Sequence, residues 1–325
     1  MDACMSGVGV DFYKQMCVRQ ADACKSTPTP LAPVIMNQNG FTLIELIMVI
    51  VLIGALASVS SLFIAQPLEG FIDVNRRVAL VDIAQTALQR MTREMRDALP
   101  NSVRLANNGT RYAIEFLSTS SGGRYRAFPA SVGVSTPLDF TANSGSFDIL
   151  GGLPENGSID TAGGSGRAAC MNNTVDCVVI YNTGTGATDF NAYAGNNIAA
   201  ITAVSNSSLT FNNSDVAGWR FPAASPGGRF FIVDTPVSFV CDSSTGEVWM
   251  YQNYTISASQ PVDSGDFGGI GAVLADQVSD CGANTFQYNA GAGLRYGLVV
   301  IRLTLTGSGG ETVSLLQQVH VMNAP

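Results

Sequence analysis

Charge is scarce in this sequence. Asp, Glu, Lys and Arg make up 13% of its 325 residues, and lysine stops at Lys25. No basic cluster is present to meet a phosphate backbone, and the formal charge of −8 is of the wrong sign, so nucleic acid is excluded as a partner. Histidine occurs once, at His320. A hydrolase triad would need it as base, but it stands between Val319 and Val321 in a strand-like run, where a cross-strand structural role is expected. No catalytic residue is therefore expected, and the chain reads as a non-enzyme. The cysteines contain no C-x-x-C pair, which with a single histidine leaves no zinc pattern. Neither a metal nor a cofactor is expected. The glycine patterns at Gly163–Gly166, Gly184–Gly186 and Gly291–Gly293 lack the strand, helix and lysine of a phosphate loop and read as turns. Asp263 and Asp266 offer oxygen ligands of the kind calcium takes, but a Gly-rich loop is the expected reading there.

Apolar residues, by contrast, reach 46%, and part of the excess sits in one block. Phe41–Ala65 reads FTLIELIMVIVLIGALASVSSLFIA and holds a single charge, Glu45. At about 1.5 Å per residue, such a helix spans a hydrocarbon core of roughly 30 Å. A secretory signal peptide would place its small-residue cleavage site after the apolar run. Here the glycine, Gly40, comes first, and that order excludes an ordinary signal peptide.

The stretch GFTLIELIMVIVLIGALA, Gly40–Ala57, resembles the signal of type IV prepilins and type II secretion pseudopilins. The resemblance implies that a membrane-embedded prepilin peptidase cuts between Gly40 and Phe41 and that Phe41 is then N-methylated. It also implies an assembly role for Glu45. An ionised side chain in a bilayer costs about 2.5–3.5 kcal/mol even on lenient scales. The new cationic amine of Phe41 on a neighbouring subunit would neutralise it. Leaders of this family carry Lys or Arg just before the glycine, which holds that end in the cytoplasm. MNQNG, residues 36–40, has neither. Residues 1–35 are therefore expected to be a start-site artefact or without a role after cleavage. A start at Met36 gives a five-residue leader whose own amine is positive.

Residues 66–100 are expected to form an amphipathic helix in the periplasm. Val74, Val78, Val81, Leu88, Met91, Met95 and Leu99 make the packed stripe, Pro67 and Gly70 weaken its start, and Pro100 stops it. From residue 101 to 325 the chain turns β-rich. Expected strands are Tyr112–Leu117, Cys177–Asn182, Ile198–Val204, Arg229–Val233, Val237–Cys241, Glu247–Thr255, Leu298–Thr306 and Thr312–Val321. Hairpins are expected at Cys241–Glu247 and Gly307–Gly310, and long surface loops across Gly122–Gly166. The fold class is α+β, pilin-like: a long N-terminal helix on an antiparallel sheet.

Seven cysteines divide into Cys4, Cys17 and Cys24 before Gly40 and an even set of four beyond the membrane segment. In an oxidising compartment that set makes two disulfides, and three pairings are possible. The local pairing, Cys170–Cys177 with Cys241–Cys281, is the expected one. On chain-entropy grounds its two loops are worth roughly 2.5 and 4 kcal/mol.

Three further stretches, Ala87–Arg104, Val237–Tyr251 and Gly297–Pro325, resemble minor pilins of MSHA-type pilus systems and, more distantly, a pseudopilin of type II secretion. That resemblance implies a subunit that starts or caps a filament from the inner membrane. Its partners are the prepilin peptidase, other major and minor pilins and the inner-membrane assembly platform. A tip-displayed adhesive module is the alternative, and the two roles can coexist.

Overall fold

The computed structural model describes residues 40–130, 135–154, 156–184, 186, 189–268, 270–290 and 296–325. The expectations for residues 1–35, for Met36 and for Gly291–Gly293 lie outside them. One apolar N-terminal helix and a large antiparallel β domain make the fold α+β. The chain divides into two compact units, Met1–Ile64 and Ala65–Pro325.

Helix α1 is assigned over Leu43–Arg96. The assignment continues through Pro67 and Gly70, so the expected weakening there does not end the helix. A proline removes one backbone donor, and the neighbouring turns keep their own bonds. Serine is tolerated in the apolar part because its hydroxyl finds a partner within the helix: Ser58 Oγ donates to the Ala55 carbonyl at 2.8 Å. Arg93 and Arg96 lie in the last turn, where cations complement the helix dipole. After Arg96 the backbone turns to pair with the sheet, Leu99 N–H donating to the Leu117 carbonyl at 2.7 Å.

Among the residues of α1 whose side chains are described, burial begins at Leu80. Leu80, Ala84, Ala87, Leu88, Met91 and Met95 are buried, whereas Val74 and Val78 are 58% and 60% exposed. The expected stripe is corrected accordingly: its first two members face outward, and Leu80, Ala84 and Ala87, outside the expected set, are buried. Small side chains at a packed face let helix and sheet approach closely.

Among the described residues, twelve strands follow. In the first sheet they are β1 (Arg104–Asn107), β2 (Arg111–Tyr125), β3 (Ser144–Leu150), β4 (Cys177–Val179), β5 (Ile198–Val204), β6 (Ser208–Asn212), β7 (Arg229–Asp242), β8 (Glu247–Gln252) and β9 (Ile270–Ala275). The second sheet holds β10 (Phe286–Asn289), β11 (Tyr296–Thr306) and β12 (Thr312–Met322). The two segments expected at Arg229–Val233 and Val237–Cys241 are one strand, β7, which pairs with β2 from Arg111↔Asp242 to Arg124↔Arg229. Register shifts between Ser118 and Ser121 divide that long ribbon into two parts.

The first part, with β1, β8 and β9, forms an open sheet. Its inward residues Ile114, Phe116, Phe239, Val248 and Met250 share a core with the buried α1 stripe and with Val299, Ile301, Leu303, Val319 and Val321 of the second sheet. The second part closes on itself: β2, β3, β6, β5, β4 and β7 pair in a ring. Tyr125, Phe147, Phe211 and Phe230 fill that ring, with Phe147 and Phe230 edge-to-face at 5.5 Å. The Gly122–Gly166 interval thus contains the end of β2 and all of β3, correcting the expectation of loops alone. In SGSFDIL, Phe147 and Ile149 point inward despite the polar setting.

Cys170, in the short helix α2 (Arg167–Met171), is bonded to Cys177 of β4, with Cα atoms 5.7 Å apart. Cys241 of β7 is bonded to Cys281 ahead of β10, Cα atoms 5.5 Å apart, and so ties one sheet to the other.

Candidate processing and assembly site

Gly40, Phe41 and Thr42 precede the helix in non-helical backbone, and all three are exposed. Nothing lies within 4 Å of the space a side chain at Gly40 would take, and Phe41 is 82% exposed. The bond between these two residues thus lies in exposed, non-helical backbone.

Thr42 starts the helix. Its hydroxyl accepts from the Glu45 N–H at 3.3 Å, and its carbonyl accepts from the Glu45 and Leu46 N–H groups at 3.0 and 3.1 Å. T-x-x-E is the spacing of a capping box. Glu45 lies in the first turn, where its charge meets the positive end of the helix dipole. Among the described residues, Glu45 makes no ion pair. From Phe41 to Ser60 every residue is exposed, including Leu46, Ile50, Ile53 and Leu56. Among the described residues, one helical window, Leu43–Ser60, is long and apolar enough to cross a membrane.

Residues 35–61 match the family described as the prokaryotic N-terminal methylation motif. This is a type IV pilin-like signal. It covers Gly40, Phe41 and Glu45, and the helix that follows is long and apolar enough to cross a membrane. No curated protein and no solved structure matches the chain.

The other residues singled out from the sequence do not assemble into a reaction centre. His320 lies exposed on β12 opposite Leu298, and no side chain bonds to its ring among the described residues. Asp263 is taken up by Arg111 Nη1 and Asn108 Nδ2, both at 2.7 Å. The described residues contain no group of three His, Cys, Asp or Glu side chains able to hold a metal. Gly166 precedes α2, whose first N–H groups, from Arg167 and Ala168, donate to the Asp215 carboxylate at 2.8 and 3.1 Å.

One buried constellation was invisible from sequence. Glu115 of β2 is fully buried and pairs with Arg104 Nε of β1 at 2.8 Å. The guanidinium sits 3.5 Å from the Tyr193 ring centre and also donates to the Ala258 and Ser257 carbonyls, each at 2.8 Å. Burial pushes the Glu115 carboxyl up, and the Arg104 charge opposes that shift. With its contacts spread over other segments, Arg104 fastens the open sheet to the 3-10 turn at Ala192–Ala194 and to the loop at 257–258.

Proposed function

We propose that this chain is a minor pilin similar to MshO of MSHA-type pili. In this reading it is cut after Gly40 by prepilin peptidase, N-methylated on Phe41 and used to start or cap a filament. The observation that carries the proposal is an exposed apolar half-helix, with one carboxylate in its first turn and an accessible Gly40–Phe41 bond just ahead of it. Such a surface is stable in lipid or against other apolar helices, and a filament supplies both in turn. The domain from residue 65 onward lies in the periplasm, held first by the single inner-membrane span and later at the filament tip. Its partners are other major and minor pilins and the inner-membrane assembly platform. Four periplasmic cysteines form two disulfides, Cys170–Cys177 and Cys241–Cys281.

Glu45 acts by meeting the amine of Phe41 on a neighbouring subunit, in a setting where screening is weak. Glu45→Ala is expected to leave cleavage and domain stability unchanged and to reduce co-purification with partner pilins. Glu45→Asp, which keeps the charge and the helix-capping chemistry but shortens the reach, should fall between wild type and alanine. Wild-type co-purification of the alanine variant would remove the pair from the account.

A further inference from the structure

Strand β12 ends the second sheet and leaves one side open. Among the described residues it pairs with β11 alone, in one register from Thr306↔Thr312 to Tyr296↔Met322. At the hairpin, Gly307 N–H donates to the Glu311 carbonyl at 2.9 Å. Bonded pairs alternate with unbonded ones in an antiparallel ladder, so Val313, Leu315, Gln317, Val319 and Val321 turn their backbone groups to β11. The other side of β11 shows the same alternation: Arg302 and Thr306 N–H donate to the Thr285 and Gln277 carbonyls. Thr312, Ser314, Leu316, Gln318, His320 and Met322 therefore present N–H and C=O to the open side, and all are exposed. A side-chain donor reaches one of those carbonyls: Gln317 Nε2 donates to that of Gln318 at 3.3 Å.

Edge strands that stay single carry a device against pairing: brevity, a charge, a proline or a bulge. The other end strands conform. β1, β9 and β10 have 4, 6 and 4 residues, and β1 contains Arg104. β12 has 11 residues without Asp, Glu, Lys, Arg or Pro, and its ladder has no register shift. Its open side also leaves apolar surface. Val313 and Leu315 are only half-buried against the core, and Leu316 and Met322 are 49% and 47% exposed.

A row of unpaired N–H and C=O groups is satisfied by another extended chain. Two copies of β12 pairing antiparallel, the stronger mode, would be related by a two-fold axis normal to the sheet. That axis reverses whatever packs along the sheet face, including the Leu80–Met95 part of α1. Chains rooted in one membrane run the same way, so the occupant is a strand of a different subunit. Its side chains beside Val313 and Leu315 continue an apolar layer, and a charge in it would find no counter-charge on β12. We propose that β12 accepts an extended, uncharged strand of a neighbouring, different pilin, with apolar residues at every second position. The proposal rests on the filament reading above and adds the place and manner of the contact.

The test compares the mature full-length chain purified alone in detergent with the complex extracted from cells that make the host's other pilins. Captured partners are identified by mass as N-methylated pilins, and both samples are followed by residue-resolved amide hydrogen exchange. In the complex, the amides of Ser314, Leu316, Gln318 and His320 are expected to slow at least about tenfold. Their odd-numbered neighbours, already bonded to β11, should change little. Gln318→Pro removes an outward N–H and leaves the β11 ladder whole, because edge strands take proline where that side is open. It should lower capture of partner pilins at least about tenfold. Gln318→Ala keeps the N–H and should match wild type. If the unaltered chain captures no pilin, the filament reading falls together with the proposal. If it captures pilins while the even-numbered amides stay fast, or if Gln318→Ala loses as much as the proline variant, the proposal alone falls. Even-numbered amides already slow in a dimer of the chain purified alone would also overturn it, making a second copy the occupant. The exchange pattern decides by itself should Gln318→Pro fail to fold.

Discussion

Two halves of one helix live in opposite surroundings. From Leu43 to Ser60, α1 is apolar on every face and exposed throughout; from Leu80 to Met95 it is apolar on one stripe, and that stripe is buried. Both halves satisfy their backbone in the same way, so secondary structure does not distinguish them. The distribution of side chains does: an all-round apolar surface needs an apolar solvent, whereas a stripe needs a sheet. The two carboxylates Glu45 and Glu115 repeat the contrast. Glu115 is buried with a resident cation, Arg104, while Glu45 is exposed without an ion-pair partner among the described residues. The domain completes its own charge pair, and in the proposed assembly Glu45 is left for a neighbouring subunit.

The largest effect should come from stripping Glu115 of its partner. Arg104→Ala leaves a carboxylate buried and uncompensated, a loss of about 3–5 kcal/mol in chemical denaturation. Replacing both residues, as Arg104→Met with Glu115→Leu, should recover most of it. If the double variant is no better than the single one, packing around Arg104 matters more than its charge.

Next is the buried half of the helix. Met91→Ala should cost the domain about 2–5 kcal/mol. Val49→Ala, in the exposed half, should stay within about 0.5 kcal/mol. A comparable loss in both would break the contrast between the halves, because it would mean that residues 43–60 also support the domain.

A smaller effect sharpens the account of the domain's own acids. Asp176 is buried beside Asp160 and Asp234; desolvation, and to a lesser degree those charges, push its carboxyl up to about 6, against a hydrogen bond from the Asp160 N–H. Between the unfolded value near 4 and 6, the native state keeps a proton that the unfolded chain has lost. This contribution is therefore full below pH ~4 and disappears as pH rises through ~6. Its slope stays below the one-proton limit of about 1.4 kcal/mol per pH unit, because two titrations only about two units apart never differ by a whole proton. Asp176→Asn should flatten that window in denaturation series run from pH 4 to 7. An unchanged slope would assign it to other acids.

How much of the fold and the site is legible in the sequence depends on locality. The signal at Gly40, Phe41 and Glu45 is a matter of order along the chain, and the apolar run behind it is continuous. The helix from Leu80 to Met95 is periodic, but the pattern does not show where packing begins, so Val74 and Val78 fall on the wrong side of the boundary. Strands rich in Val and Ile, such as Ile198–Val204 and Leu298–Thr306, announce themselves. RLAN, SLTFN and FQYN, the segments of β1, β6 and β10, are short and polar, and long-range pairing alone makes them strands. Closure of the β2–β3–β6–β5–β4–β7 ring is likewise a property of non-local pairing. Arg104, Glu115 and Tyr193 meet only because the fold brings them together.

The central claim is that Gly40–Phe41 is a processing site and that everything before it is removed. Intact-mass analysis of the protein extracted from membranes with active prepilin peptidase tests it directly. The account predicts a chain that begins at an N-methylated Phe41 and is lighter by the four hydrogens lost in forming two disulfides. A chain that keeps residues ahead of Phe41, or starts elsewhere, would contradict it.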